Sequence, residues 1–124
     1  MTQDTEHTLQ KARQLVETGQ HDNARQCLLQ LLKQQPDNRV ALIMLGGAYF
    51  SMQKYSEAEL VYKRLILMEP GNGRFSIALF NTLWKSSRHD EALEEIKRFM
   101  AYADKAAEQE TIKQYLAIIE EFAG

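Results

Sequence analysis

The sequence has little of what cross-linked, metal-binding or phosphate-binding folds require. It contains a single cysteine, Cys27, so no intramolecular disulfide can form and no thiolate-rich metal site can be built. Its three histidines lack the four-residue spacing of a helical zinc site. Its glycines come without the strand and lysine of a phosphate-binding loop. We therefore predict no metal, no other cofactor and no catalytic site.

The sequence also has no long apolar run and no excess of one charge. No segment approaches the ~18 apolar residues of a membrane-spanning helix, and the N-terminus has no basic stretch followed by an apolar core. The 15 basic and 17 acidic residues give a net charge of -2 and are interspersed, which argues against nucleic acid or a membrane surface as the partner. These patterns predict a soluble, cytoplasmic protein that neither binds nucleic acid nor inserts into a membrane.

Residues that interrupt helices are scarce, with two prolines and six glycines among 124 residues. Helix-favouring Leu, Ala, Glu, Lys, Gln and Arg are abundant, and no segment shows the alternation of β-branched residues that is typical of a strand. A chain of this length buries enough surface for one core. The composition therefore predicts an all-α fold and a single domain over residues 1–124.

A repeat with a period of 34 residues organises most of the chain. Three segments align without a gap, namely GQHDNARQCLLQLL (19–32), QKYSEAELVYKRLI (53–66) and SRHDEALEEIKRFM (87–100). Ala24, Ala58 and Ala92 fall at the same place in them, and Pro36 and Pro70 close the first two repeats. A fixed period of this length is typical of stacked helical hairpins.

The repeat resembles the tetratricopeptide repeat family. The middle repeat carries the resemblance best, through Leu42, Leu45, Gly46, Tyr49, Ala58, Tyr62 and Pro70. The resemblance implies an α-solenoid of three antiparallel helix hairpins in a right-handed superhelix, whose first helices line a concave, partner-binding surface. The other repeats depart from the pattern at Lys11, Phe80 and Asp104. A ring at Phe80, where the middle repeat has Gly46, should push the third hairpin apart or shift its packing.

The repeats and their turns predict the element boundaries. We expect repeats over about 5–38, 39–72 and 73–104, with a capping helix over about 105–122. The predicted helices span about 5–18, 21–34, 39–52, 55–68, 74–86, 89–102 and 105–122. Asp37 or Asn38, and Asn72, are expected to cap the helices that follow them.

One segment, LWKSSRHDEA (83–92), has the residue types of a catalytic constellation, because His89 precedes two acidic residues. However, His21 and Tyr55 hold the same position in the other repeats, at the start of each second helix. No nucleophile with an orienting group lies nearby in sequence. We therefore interpret His89 as part of a turn between two helices.

The last two predicted helices are amphipathic. The acidic run of the sixth is interpreted as a solvated face, with Glu94 paired to Arg98, and it comprises Asp90, Glu91, Glu94 and Glu95. The apolar residues of the seventh follow helical spacing and are Ile112, Tyr115, Leu116, Ile119 and Phe122. This seventh helix is predicted to cap the third hairpin. The alternative is a helix offered to a partner.

The first helix of each repeat has more apolar surface than its own hairpin uses. Two apolar sets recur in register, and their members within each helix are seven residues apart and so share a face. The sets are Leu9, Ile43 and Ile77, and Val16, Phe50 and Trp84, with Arg13, Gly47 and Asn81 between them. We predict these nine residues as the partner-binding groove, with Phe50 and Trp84 as anchors and Arg13 or Asn81 contacting the partner's backbone.

This pattern predicts a protein-interaction module, an adaptor or chaperone-like protein, that binds an apolar peptide or amphipathic helix of another protein. A clamp for a C-terminal carboxylate is disfavoured, because family members of that kind carry lysine and asparagine where this chain is apolar. One alternative is a bacterial secretion-type chaperone with tetratricopeptide repeats. Another is a structural module that self-associates in a larger assembly, with the apolar columns covered by the last helix or by a second copy in a homodimer.

Overall fold

The computed structural model describes the backbone of residues 2–123 and the side chains of residues 4–122. Within that part of the chain it has seven α-helices and no strand. The helices are α1 (Thr2–Glu17), α2 (His21–Gln34), α3 (Arg39–Ser51), α4 (Tyr55–Met68), α5 (Gly73–Lys85), α6 (His89–Tyr102) and α7 (Gln109–Ala123). The all-α prediction is confirmed. None of the helices described is both long and apolar enough to span a bilayer.

The predicted start of the seventh helix was wrong by about four residues. The chain forms turns over residues 105–108 before α7 begins at Gln109. Asp104 causes this, because its Oδ1 accepts hydrogen bonds from the backbone N–H groups of Ala106 and Ala107, at 2.9 and 3.1 Å. A short acceptor side chain that binds the backbone two and three residues ahead favours a turn over a continuous helix.

Asparagine caps begin the first helices of the second and third repeats, as predicted. Asn38 Oδ1 accepts a hydrogen bond from the backbone N–H of Ala41 at 3.0 Å, and Asn72 Oδ1 accepts one from Phe75 at 3.2 Å. Each cap satisfies a donor that has no partner within its helix. Of the two residues predicted for α3, Asn38 rather than Asp37 is the cap.

The turn inside each hairpin has one residue with positive φ at the same position of the repeat. These residues are Gly19 (φ 78°), Gln53 (φ 61°) and Ser87 (φ 62°). In all three turns the next residue donates from its backbone N–H to a carbonyl five residues back, as Gln20 does to Leu15 at 2.7 Å. This is the Schellman ending of a helix, which favours glycine at the positive-φ position.

The chain divides into two compact units, Met1–Leu65 and Ile66–Gly124, which we call the N-terminal and C-terminal units. The prediction of one domain over residues 1–124 stays a prediction. In the N-terminal unit, small residues let the helices approach closely, and Ala12, Ala24 and Ala58 are fully buried. Gly46 is a point of close approach, because a Cβ added there would lie 2.5 Å from Cε1 of the Tyr62 ring.

In the C-terminal unit, an aromatic ring occupies a repeat position that a small residue holds in the N-terminal unit. Phe80 is buried, and its ring lies 5.6 Å from that of Trp84 and 5.7 Å from that of Tyr115, measured between centroids. Tyr115, on α7, also packs edge-on against Phe99 at 5.5 Å. The Phe80 ring is therefore accommodated between Trp84 and Tyr115, and the prediction that it pushes the hairpin apart or shifts its packing stays a prediction.

Candidate functional site

Six of the nine predicted groove residues lie in the N-terminal unit, on α1 and α3. On α1, Leu9 and Val16 are half-buried and Arg13 is exposed. On α3, Gly47 and Phe50 are half-buried, whereas Ile43 is 44% exposed. Apolar surface therefore stays accessible at the middle of α3.

Val40 adds to this surface and was not among the predicted site residues. Its side chain is 42% exposed, and it lies three residues before Ile43 and seven before Gly47, so the three share a helix face. A Cβ added at Gly47 would meet nothing within 4 Å, so the surface is open at that point. The nearly continuous apolar sequence of α3 was the signal that could have identified Val40 as part of this surface.

The other three predicted residues lie in the C-terminal unit, on α5. Ile77 and Trp84 are half-buried and Asn81 is exposed. The Trp84 indole is surrounded by rings, with centroid distances of 5.6 Å to Phe80, 4.1 Å to His89 and 5.3 Å to Phe122. The prediction that these residues and those of the N-terminal unit form one groove stays a prediction.

An open apolar cleft of about 480 Å³ lies beside Trp84. Its lining residues come from α5 and α7 and are Phe80, Trp84, Ile118, Glu121 and Phe122. Phe122 is 58% exposed. A cleft with aromatic walls and one acidic rim residue has the chemistry to hold an apolar side chain of another protein. Ile118 was missed by the sequence prediction, and Phe122 was predicted only as part of the cap.

The His89 segment forms a helix start, as interpreted from the repeat. His89 is the first residue of α6, its side chain is exposed, and its ring packs against Trp84. Asp90 follows in the first turn, where a negative charge stabilises the positive end of the helix. In the part of the chain that the structure describes, no three His, Cys, Asp or Glu residues converge in a way that could hold a metal.

The acidic run of α6 is a solvated face except at Glu95, and here the sequence prediction was wrong. Glu95 is 5% exposed. It forms the ion pair with Arg98 that was predicted for Glu94, with Nε to Oε1 and Nη2 to Oε2 distances of 2.7 and 2.8 Å. Glu94 instead lies 3.5 Å from Lys97, and both of these side chains are exposed.

Glu95 belongs to a buried polar network that holds α7 against the third hairpin. Ser76 Oγ donates to Glu95 Oε2 at 2.6 Å and lies 2.7 Å from Tyr115 Oη. A serine hydroxyl has one proton, so the Tyr115 hydroxyl donates to Ser76. Burial raises the pKa of Tyr115 above its ordinary value of 10.0, and the hydrogen bond with Glu95 raises the pKa of Arg98. The network is therefore structural, because each of its polar groups has a partner.

The seventh helix caps the third hairpin with only part of its apolar surface. Tyr115 is buried and Ile112 is half-buried. Leu116, Ile119 and Phe122 remain 54%, 42% and 58% exposed. A second apolar groove, of about 770 Å³, runs along α7 on the side of Ile112 and Leu116. The cap prediction therefore holds for the inner face of the helix, and the outer face is available for contacts.

Comparison with known proteins agrees with this arrangement of helices. The sequence model of the tetratricopeptide repeat matches residues 9–76, more than half of the chain. A comparison with curated proteins gave no match.

Several solved structures are similar to this chain. The Yersinia enterocolitica type III secretion chaperone SycD, in complex with a peptide of the translocator YopD, is 17% identical; the match covers 98% of this chain and 93% of SycD with a TM-score of 0.81. PcrH, in complex with the chaperone-binding region of PopD, is 18% identical, with 98% and 92% covered and a TM-score of 0.82. MamA AMB-1 is 27% identical, with 77% and 56% covered and a TM-score of 0.65. At these identities the first two likenesses show a shared helical-repeat fold.

Proposed function

The chain belongs to the tetratricopeptide repeat family, and we propose that it is a protein-interaction module that binds an apolar peptide or amphipathic helix of another protein. It would act as an adaptor or in a chaperone-like manner. The family uses the surfaces of its first helices for such contacts. The proposal includes no catalytic role, and the cytoplasmic location stays a prediction.

The cleft beside Trp84 is the observation that carries this proposal. Its walls are aromatic, and none of its lining residues belongs to the buried network of Glu95. Phe122 leaves more than half of its side chain in solvent. Large exposed aromatic residues are costly in water, and they are the residue type that contributes most binding energy at interfaces. An apolar side chain inserted beside Trp84 would cover this surface.

The exposed face of α3 supports the same proposal from the N-terminal unit. Val40 and Ile43 each leave about two fifths of their side chains in solvent. The open backbone at Gly47 lets a partner approach closely. Arg13, exposed on α1, supplies donors suited to a partner's carbonyl or carboxylate groups.

A more specific function is that of a secretion-type chaperone. SycD and PcrH are each described bound to a segment of another protein, a YopD peptide and the chaperone-binding region of PopD. This chain matches both over nearly its whole length and theirs. At 17% and 18% identity, the likeness supports a peptide segment of another protein as the type of partner.

The sole tryptophan makes the proposal directly testable. Peptides of 15 residues would be selected from a phage-displayed library on the wild-type protein, then synthesised and titrated while Trp84 emission is recorded. We expect a saturable emission shift. We also expect Ile43→Asp and Phe122→Asp each to weaken binding at least tenfold, since loss of a central contact costs about 2 kcal/mol or more and about 1.4 kcal/mol is a factor of ten.

Leu60→Asp is the matched control for both substitutions. Leu60 is 70% exposed on α4, the second helix of its repeat, so this variant also places an aspartate at an apolar position, but outside the proposed surfaces. It should bind the selected peptides as the wild type does. The proposal is wrong if no peptide is selected, or if all three variants bind with wild-type affinity. Equal loss in all three would indicate nonspecific apolar binding and would also contradict it.

A further inference from the structure

The outer face of α7 carries an apolar stripe. It consists of Ile112, Leu116 and Ile119, and we call it the outer stripe. Successive members are four and three residues apart, so they share one face of the helix. The 770 Å³ groove runs beside it and includes Met100 of α6. The cleft at Trp84 is also partly built on α7, but it shares no lining residue with this groove.

The buried contacts of α7 fix which way the outer stripe points. Tyr115 is 1% exposed and is hydrogen-bonded to Ser76. Thr111 is also buried, and a Cβ added at Gly73 would collide with its side chain. Glu108, in the turn immediately before α7, accepts a hydrogen bond from the backbone N–H of Gly73 at 3.1 Å. Rotating the helix to bury the outer stripe would break these contacts.

Opposite charges flank the outer stripe in a symmetric arrangement. Lys113 and Glu120 both line the groove, and they are seven residues apart, which places them on the same side of the helix. Neither forms an ion pair with any other described residue. The midpoint between them falls between Leu116 and Ala117, next to Leu116, the central residue of the outer stripe.

We propose that α7 is a homodimer contact, in which the α7 helices of two copies pack antiparallel along their outer stripes. A two-fold axis near Leu116 would place Lys113 of each copy opposite Glu120 of the other. It would also bring the Leu116 side chains of the two copies together beside the axis. A two-fold contact requires one patch that is complementary to itself, and this charge pattern meets that requirement. That complementarity selects a second copy over an unrelated partner.

The contact is small, so the dimer is expected to be concentration-dependent. A helix of 15 residues is about 22 Å long, and one pair of such helices buries less than the ~800 Å² per partner of a standard interface. Sedimentation equilibrium of the full chain should therefore show a monomer–dimer equilibrium in the micromolar range. Leu116→Asp should shift it to monomer, with Leu60→Asp as the control that leaves it unchanged.

Charge exchange tests the antiparallel register. Lys113→Glu and Glu120→Lys should each dissociate at least tenfold more readily than the wild type, because each puts like charges opposite one another twice. An equimolar mixture of the two variants should dimerise again, since every contact then joins a lysine to a glutamate. Gln114→Glu is the control, because it adds a negative charge to α7 outside the groove lining. Far-UV circular dichroism verifies that each variant is folded.

The proposal is overturned if the wild type stays monomeric up to ~1 mM, a concentration at which even weak specific contacts are populated. It is also overturned if the mixture does not recover the dimer. If Ile43→Asp rather than Leu116→Asp dissociates the dimer, the contact lies on α3 and the assignment to α7 is wrong. The peptide titrations are independent of these outcomes, because Ile43 and Phe122 lie outside the outer stripe.

Discussion

The second and third repeats place different chemistry at the same two buried positions. In the second repeat the positions are held by Leu42 and Val61, and in the third by Ser76 and Glu95, 34 residues later. All four side chains are buried. The apolar pair needs no further partner, whereas the polar pair requires hydrogen bonds to be tolerated in the interior. Arg98 and the Tyr115 hydroxyl of α7 supply them.

The comparison shows that one repeat pattern can be completed in two ways. The hairpin of the second repeat is closed by side chains of complementary size, with Gly46 making room for Tyr62. The hairpin in the C-terminal unit relies on directed bonds that attach an additional helix at one orientation. Hydrogen bonds have strict geometry, and size complementarity tolerates small shifts. The polar network therefore explains why α7 can present a defined outer face.

Glu95→Val gives the third repeat the residue of the second and is expected to have the largest effect. It leaves the Ser76 hydroxyl without its acceptor and Arg98 without its carboxylate. Removing one member of a buried, charge-paired network costs about 3 kcal/mol. Urea denaturation followed by circular dichroism measures this free energy of unfolding. Glu94→Ala, one residue away in an exposed ion pair, is the control and should change stability by less than about 0.5 kcal/mol.

Removing the whole network sharpens the same comparison. If the loss in Glu95→Val comes from unpaired polar groups, the triple variant Ser76→Ala, Glu95→Val, Tyr115→Phe should be more stable than Glu95→Val alone. A triple variant less stable than the single one would show that packing, and not polar pairing, dominates at these positions.

Gly46→Ala tests the size-based closure of the second repeat and should destabilise the protein by about 2 kcal/mol. The added Cβ lies 2.5 Å from the buried Tyr62 ring, and overpacking of this kind costs ~1–3 kcal/mol. Combining it with Tyr62→Leu reproduces the Ala12 and Leu28 pair of the first repeat. The double variant should lose about 1 kcal/mol less than the sum of the single losses.

The neighbouring glycine provides the matched control for that substitution. Gly47→Ala is the same change in the same helix, but its Cβ meets nothing within 4 Å. It should stabilise the protein by about 0.5 kcal/mol through higher helix propensity. Equal effects of the two substitutions would contradict the steric argument.

Much of the fold could be predicted because the 34-residue period fixes several features at once. Ala24, Ala58 and Ala92 mark the close contacts, and Asn38 and Asn72 mark the caps through their own side-chain chemistry. The late start of α7 was missed because a single side chain, Asp104, binds the backbone ahead of it. Such local competition leaves no periodic signal.

The burial of Glu95 was missed because the other residues of its network on α5 and α7, Ser76 and Tyr115, lie 19 and 20 residues away in sequence. A charge run on a helix suggests solvent, but the repeat register carried a contrary signal. Glu95 aligns with Cys27 and Val61, which are half-buried and buried. The candidate site was predicted residue by residue from the same register. Its cleft at Trp84 was not, since that cleft depends on how α7 packs.

The three hairpin turns offer the most sensitive comparison, because they share one backbone conformation and differ in the residue that adopts it. Gly19 adopts positive φ without strain, whereas Gln53 and Ser87 carry a Cβ there. This conformation costs a non-glycine residue ~1–2 kcal/mol, part of which glycine offsets by losing more backbone entropy on folding. Ser87→Gly should therefore stabilise the protein by about 0.5–1 kcal/mol in urea denaturation, and Gly19→Ala should destabilise it by a similar amount. Stabilisation by Gly19→Ala would show that the turn of the first repeat is not held in this conformation in solution.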